Sequence, residues 1–316
     1  MAFSQEMREL AARVSNRGRW GEDDQHGTAN LITTEATLRG VGAVRTGERF
    51  SLVVPLSEDG IQIGQPAGRV NAMLSPTSLN ERDPHAPGIW AGTDDVVTMS
   101  TCAGTHLDGL SHIGYDGELY GGRDQQESVR ARGGARWCGV EQIPPIVTRG
   151  ILLDVPRTLG VDELAAGTAI TADDLVSALK AGAVSIESGD VACVRTGEIR
   201  HFHRGDRRRY AVGEDWKMTG LGVSCIEWLH DHDVAGVFVD NYGLEVMPPE
   251  SGNWDDLLAV HMIHLRDMGM IQGQNFDFES LADACAADGR IDFLLLAAGE
   301  PIVGATSTPV HPVAVR

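Results

Sequence analysis

Residues 100–112, STCAGTHLDGLSH, constrain the fold and chemistry of this chain more than any other segment. If the segment runs as an extended strand, its side chains alternate between two faces, and Cys102, His106 and Asp108 point the same way. A thiolate, an imidazole and a carboxylate on one face suit a divalent transition metal, with zinc first. The spacing therefore predicts a metal site built on a strand.

His112 follows these three residues after a glycine that lets the chain turn. It can lie beside the metal without binding it, where a general base for an activated water would act. The alternative is structural, because a lone buried histidine is usually a hydrogen-bonded core residue and a lone buried cysteine a small hydrophobe. Four such residues so close together favour the functional interpretation.

The net charge of the chain restricts the classes of molecule that it can bind. With 45 acidic residues against 26 Lys plus Arg, the net charge is −19. Such a field repels nucleic acid and anionic membrane surfaces, so neither is expected as a partner. An anionic small-molecule substrate is not excluded, because a metal and local arginines can reverse the potential near a site.

The N-terminus has no apolar stretch of the kind found in export signals, and no apolar run is long enough to span a bilayer. The five cysteines are scattered and odd in number, which favours reduced thiols. These features predict a cytoplasmic protein.

Strand and helix patterns alternate along the chain, which predicts an α/β fold. Residues 149–155 and 190–197 are typical of buried strands, and residues 171–181 of a capped helix. No linker divides the sequence, so we expect one domain over residues 1–316, with an N-terminal helix and loop over residues 1–32. Residues 57–95, rich in Pro, Gly and Asn, predict a long loop that covers a site.

Three residues outside the central segment are further candidates. His261 and His264 lie three positions apart on a predicted helix, and taken alone they would be a surface pair. Gln274 follows that helix. Trp20 lies in a glycine-punctuated polar loop, where it could stack on an aromatic substrate or pack against the protein.

The segment 104–112 resembles the signature H-x-G-T-H-x-D-x-P-x-H of the metal-dependent cyclase family of hydrolases. This family includes enzymes of the kynurenine formamidase, isatin hydrolase and trans-dienelactone hydrolase types. Residues 20–30, 116–121, 269–274 and 307–314 look like the other landmarks of its longer members.

The resemblance implies a swivelling β/β/α fold, with a mixed central sheet flanked by helices, in a homodimer or homotetramer. Position by position, it makes His106 and Asp108 metal ligands and His112 the catalytic acid and base. It matches His261 to a histidine that helps to bind a second metal, and Trp20 to a tryptophan that contacts substrate.

Two departures from the family pattern bear on the metal site, and a third, Leu110 in place of the signature proline, affects only the turn. Cys102 replaces the first histidine of the signature, and Gln274 replaces a glutamate that bridges two metals. A deprotonated cysteine is an excellent zinc ligand and shifts preference away from manganese, which stays possible. Because Gln274 is neutral, we expect one metal at Cys102, His106 and Asp108, and a second metal at His261 and Gln274 is disfavoured.

The sequence therefore predicts a metal-dependent hydrolase that opens a cyclic amide or lactone, or cleaves a related small amide. Two alternatives stay open because of the altered ligands. The chain could be a non-catalytic binding protein, or it could be a lyase or true cyclase that uses the same metal and base without water. A nucleophilic Cys102 is the least favoured possibility.

Overall fold

A large mixed sheet, flanked by helices, organises the fold. The structure is a computed structural model that describes residues 3–86, 88 and 90–316. Nine described strands form the sheet in the order β1-β17-β15-β9-β11-β13-β14-β4-β16. The strands are β1 (Arg49–Ser51), β2 (Met73–Arg82), β3 (Ala91–Thr98), β4 (His106–Asp108), β5 (Glu118–Leu119), β6 (Arg123–Asp124), β7 (Val129–Arg130), β8 (Gly134–Ala135), β9 (Ile146–Asp154), β10 (Ala169–Ile170), β11 (Val191–Arg195), β12 (Gly220–Leu221), β13 (Gly236–Val239), β14 (Ile271–Gln274), β15 (Asp292–Ala297), β16 (Ser307–Pro309) and β17 (Val313–Val315).

In the sequence, most of the helices lie between the strands of the central sheet. They are α1 (Gln5–Arg13), α2 (Thr34–Ala43), α3 (Gln125–Ser128), α4 (Val155–Thr158), α5 (Ala172–Ala181), α6 (Ile199–His203), α7 (Arg207–Val212), α8 (Ser224–Asp231), α9 (Ala259–Met262) and α10 (Glu279–Asp288). A π-helical segment, Ile263–Met268, continues α9, and short 3-10 turns occur at Gly27–Leu31, Tyr120–Gly122, Val140–Gln142 and Trp254–Asp256. Among the described helices, none combines the length and apolar character needed to cross a membrane.

The centre of the sheet is parallel and its two sides are antiparallel. Strands β9, β11, β13 and β14 run parallel to one another. On one side, β15, β17 and β1 join in antiparallel pairs, and on the other side β4 pairs antiparallel with both β14 and β16. The strand β4, which carries His106 and Asp108, is therefore hydrogen-bonded to a neighbouring strand on each edge.

Side-chain alternation along the central strands explains why both faces of the sheet are covered. In β9, Ile151 and Leu153 belong to one apolar cluster, whereas Leu152 belongs to another on the opposite face. In β13, Val237 and Phe238 divide in the same way. Strands that are buried on both faces have continuous apolar sequences. This is why the sequence pattern predicts β9 and β11.

The predicted α/β class, with a mixed central sheet flanked by helices, is confirmed. The capped helix is α5, where Thr171 and Asp174 form a capping box. All five cysteines are free and buried.

Two expectations about local structure are wrong. Part of the predicted loop 57–95 is the antiparallel hairpin of β2 and β3, while residues 57–72 are irregular as expected. The predicted helix 255–268 is broken, because Leu258 takes a left-handed conformation with φ of 61° before α9 begins.

Leu107 anchors the centre of β4 and gives a test of this architecture. Its side chain is fully buried in the cluster on the face opposite His106 and Asp108. We expect Leu107→Ala to lower the free energy of unfolding by about 2–5 kcal/mol, because it leaves a cavity in the core. Denaturant unfolding measures this loss. Leu38→Ala, at an exposed position of α2, should change stability by no more than about 0.5 kcal/mol. Equal losses in the two variants would contradict the assigned packing of β4.

Candidate metal centre and active site

His106 and Asp108 project from the same face of β4. On the neighbouring strand β14, Gln274 is the register partner of His106 and Gln272 is that of Asp108. Leu107, between His106 and Asp108, points to the opposite face of the sheet. The part of the strand prediction that concerns His106 and Asp108 is therefore confirmed. Because β4 is paired on both edges, its backbone polar groups are satisfied and the two side chains are held rigidly.

Cys102 does not share this strand, so the expectation of one extended segment from 102 to 108 is wrong. Residues 101–105 form turns and bends, and the N–H of Ala103 donates to the carbonyl of Ser100 at 2.9 Å. Alternation of faces does not apply across a turn. Cys102 is nevertheless buried, and burial raises the pKa of its thiol.

The orientation of the His106 ring is set by its backbone neighbour. Nδ1 lies 2.9 Å from the carbonyl oxygen of Gly104, which can only accept, so Nδ1–H donates and Nε2 keeps its lone pair. Burial lowers the pKa of His106 and favours this neutral form. Metal-ligating histidines commonly have their second nitrogen fixed by such a bond.

The two oxygens of Asp108 have different surroundings. Oδ2 accepts a hydrogen bond of 2.6 Å from Gln274 Nε2 and lies 3.5 Å from His261 Nε2. Oδ1 is buried and has no hydrogen-bond partner among the described residues, although it lies 3.6 Å from His106 Nε2 and 3.8 Å from His112 Nε2. One carboxylate oxygen is thus directed at two imidazole nitrogens without being satisfied by either.

Asp108 is ionised despite its burial. Burial alone would raise the pKa of this carboxyl group, but the neighbouring His112, His261 and His106 outweigh it and hold the pKa far below its usual range. A buried carboxylate anion needs a cation or hydrogen-bond donors close by. Its free oxygen is therefore a strong candidate metal ligand.

The separation of the donor atoms fits a small divalent cation. Ligands about 2.0–2.2 Å from a tetrahedral ion lie about 3.4 Å from one another. The 3.6 Å between Asp108 Oδ1 and His106 Nε2 is close to that value. Among the described residues, however, no group of three or more His, Cys, Asp or Glu side chains stands ready to hold a metal. His106 and Asp108 therefore supply two ligand atoms for a metal, and a complete site needs at least one further ligand.

His112 is placed to act as a base. Its side chain is 22% exposed, and Nδ1 is buried without a partner among the described residues. The charge of Asp108 acts to raise the pKa of His112, but burial together with His261 and Arg69 lowers it overall. The imidazole is therefore neutral near pH 7 and can accept a proton.

His261 and His264 are both buried, so the interpretation as a surface pair is wrong. His261 Nδ1 lies 3.2 Å from Glu245 Oε1. Although burial would lower it, the hydrogen bonds with Asp108 and Glu245 raise the pKa of His261 to about 9. His261 thus lies between two carboxylates, with Nε2 towards Asp108 and Nδ1 towards Glu245.

Gln274 competes with His261 for the same oxygen of Asp108. Its Nε2 lies 3.1 Å from His261 Nε2 while it donates to Oδ2. The amide supplies no negative charge for a second cation. These contacts are consistent with the expectation of a single metal.

The site opens into a cavity of about 330 Å³. His112, His261 and Gln274 line it, and Asp108 lies within 4 Å of all three side chains. The rest of the lining is mostly apolar and consists of Gln65, Pro66, Arg69, Ile113, Ala211, Val212, Trp216, Met218, Tyr242, Gly243, Met247, Leu257 and Leu258.

Trp20 lies apart from this lining. Its half-buried ring packs against the apolar cluster that contains Leu107, and the guanidinium carbon of Arg19 lies 4.9 Å from the ring centroid. Contact between Trp20 and substrate therefore stays a prediction.

Sequence reasoning missed two residues that shape the site. No motif in the sequence marks Glu245, because its pairing with His261 joins positions that are 16 residues apart. Arg69 lies in an irregular loop, where no periodic pattern marks it.

Comparison with known proteins agrees with this fold. The family model described as "Putative cyclase" matches residues 50–246, more than half of the chain. The crystal structure of a novel cyclase is 31% identical, with a TM-score of 0.86, and the match covers 97% of this chain and 99% of that one. No curated protein matches the chain at a significant level.

Two isatin hydrolase structures share the fold at lower similarity. One, bound to the product analogue thioisatinate, is 17% identical with a TM-score of 0.60, over 90% of this chain and 98% of that one. Isatin hydrolase A from Ralstonia solanacearum is also 17% identical, with a TM-score of 0.58, over 89% of this chain and 95% of that one. From the family model and the similarity to the novel cyclase, we conclude that this chain belongs to the cyclase family.

Proposed function

We propose that this protein is a metal-dependent hydrolase that opens a cyclic amide or lactone, or cleaves a related small amide. The observation that supports this most is the unsatisfied, buried Oδ1 of Asp108, which lies within 4 Å of His106 Nε2 and His112 Nε2. This cluster borders a cavity of a size that suits a small ring compound.

Three residues are the candidate ligands of one metal. His106 Nε2 and Asp108 Oδ1 have free lone pairs at a suitable separation, and Cys102 is the third candidate. When bound, a divalent metal, zinc first, would polarise the substrate carbonyl and lower the pKa of an attacking water. It would also favour the thiolate of Cys102, whose pKa burial otherwise raises.

The chain's own residues supply the remaining steps. His112 accepts a proton from the water that attacks the carbonyl carbon, and it returns this proton to the nitrogen or oxygen that leaves as the C–N or C–O bond breaks. Gln274 and His261 hold Oδ2 of Asp108, so that Oδ1 stays directed towards the ligand position. The apolar walls of the cavity limit the access of other water molecules.

The strongest rival is a non-catalytic binding protein. It is favoured by the lack, among the described residues, of a ready three-ligand group. Elemental analysis of protein purified without added metal separates the two. Stoichiometric metal supports the hydrolase, whereas no metal, and no uptake of zinc or manganese, would support the rival.

His112→Ala tests the proposed base. We expect the variant to keep the metal content of the wild type and to lose about 10²–10⁴-fold in turnover, because no other group replaces the base. Hydrolysis of lactones, cyclic imides and N-formyl aromatic amines measures turnover. His232→Ala, which changes an exposed histidine of another segment, is the control and should be unchanged. Full activity of His112→Ala would show that the assigned role is wrong.

Substitution of Cys102 tests the ligand assignment. We expect Cys102→Ala to weaken zinc binding at least ~10-fold, because a ligand is lost. Cys102→His should keep a ligand and move relative affinity from zinc towards manganese. Competition with a chelator measures both affinities. Cys225→Ala, at a buried thiol in α8, is the control. If Cys102→Ala binds zinc as tightly as the wild type, Cys102 is not a ligand.

We further propose that the protein assembles as a homodimer or homotetramer through the hairpin of β2 and β3. Nearly every residue of the hairpin is exposed, including the directly opposite pair Leu74 and Val97, at 60% and 51%. A two-stranded hairpin is marginally stable alone in water, so an apolar surface of this kind favours a cover from a second copy.

The double variant Leu74→Ser/Val97→Ser tests this surface. We expect the wild type to have the mass of a dimer or tetramer by light scattering after gel filtration, and the variant to shift to the monomer. Val303→Ser, at an exposed apolar residue outside the hairpin, should leave the mass unchanged. A wild-type monomer, or an unshifted variant, would refute the proposal.

A further inference from the structure

The cavity beside the candidate metal centre has a positive lining in a strongly negative protein. The chain has 45 acidic and 26 basic residues, yet no Asp or Glu is among the described residues that line this cavity. Arg69 lines it and supplies a positive charge. The lining therefore attracts an anion although the protein as a whole repels one.

The guanidinium of Arg69 is not neutralised by the protein. Among the described residues, no carboxylate forms an ion pair with it within 4.0 Å, whereas many other arginines of the chain have such partners. Arg69 is half-buried, and it lines the same cavity as His112. A charged group that is partly desolvated beside a cavity gains most from a ligand of opposite charge.

Hydrogen bonds hold the loop that carries Arg69 at the cavity. The backbone N–H of Arg69 donates to the carbonyl of Pro66 at 3.3 Å, and both Arg69 and Tyr242 line the cavity. The Tyr242 hydroxyl lies 2.6 Å from Gln62 Oε1 and 2.7 Å from the carbonyl of Gln65. Burial raises the pKa of Tyr242, so the tyrosine is neutral and does not cancel the charge of Arg69.

We propose that Arg69 binds a carboxylate group of the substrate, so that the substrate class is a small apolar ring compound that carries a carboxylate. This inference rests on the proposed hydrolase function, because it places the scissile carbonyl at His112 and the carboxylate at Arg69. The planar guanidinium pairs with a carboxylate through two parallel hydrogen bonds. The apolar residues of the cavity lining, such as Met218, Met247 and Leu258, would cover the ring.

Direct binding tests the recognition of charge without any need for turnover. The probes are benzoate and benzamide, which have nearly the same shape and differ in charge. We expect wild-type protein to bind benzoate about tenfold to a hundredfold more tightly than benzamide. Arg69→Gln should abolish this preference and leave benzamide binding unchanged, and Arg69→Lys should keep part of it.

A matched control removes the same charge nearby. Arg208 lies with its guanidinium carbon 6.0 Å from the ring centroid of Trp216 but does not line the cavity. Arg208→Gln should keep the preference for benzoate. Equal binding of the two probes by the wild type, or a preference that survives Arg69→Gln, would overturn the inference.

Kinetics distinguish a substrate carboxylate from one released by ring opening. The substrates are phthalide-5-carboxylate and its neutral carboxamide. We expect Arg69→Gln to raise KM for the carboxylate about tenfold or more, with KM for the carboxamide unchanged. A change confined to product inhibition would overturn the assigned substrate class. If neither compound is hydrolysed while the benzoate preference depends on Arg69, the proposed function fails and the recognition of an anion stands.

Discussion

The buried negative charge of Asp108 is the constraint on which the rest of the site depends. Transfer of an unpaired carboxylate from water into a protein interior is very costly. β4 cannot release Asp108 to solvent, because β14 and β16 clamp the strand on both edges. The surrounding side chains must therefore compensate the charge in place, and three histidines and one glutamine surround it.

The compensation is divided between the two oxygens. One oxygen accepts the hydrogen bond of Gln274 and faces His261, whose other ring nitrogen lies 3.2 Å from Glu245. The other oxygen lies near the imidazoles of His106 and His112. Burial acts to lower the pKa of both rings, which favours their neutral forms. This division keeps the carboxylate ionised while leaving one lone-pair region for a cation. It also explains why Glu245, which is outside the signature, belongs to the same electrostatic unit.

The sequence predicted those features that depend on local periodicity. The placement of His106 and Asp108 on one face follows from a strand repeat of two, and the sequence predicts β9 and β11 because both of their faces are buried. The same rule failed at Cys102, where a turn at residues 101–105 breaks the alternation. The pairing of His261 with Glu245 and the position of Arg69 depend on tertiary contacts. No spacing in the sequence encodes these contacts, and the roles of the site residues stay predictions.

The irregular loop before β2 touches two parts of the site at once. Besides anchoring Tyr242, Gln62 donates through Nε2 to the backbone carbonyl of Cys102 at 2.8 Å. The loop that carries Arg69 and the turn that presents the Cys102 thiol are therefore joined by hydrogen bonds. A change in this loop that alters the proposed substrate recognition would also disturb Cys102, the proposed metal ligand. Substrate range and metal preference in this protein are thus expected to evolve together rather than independently.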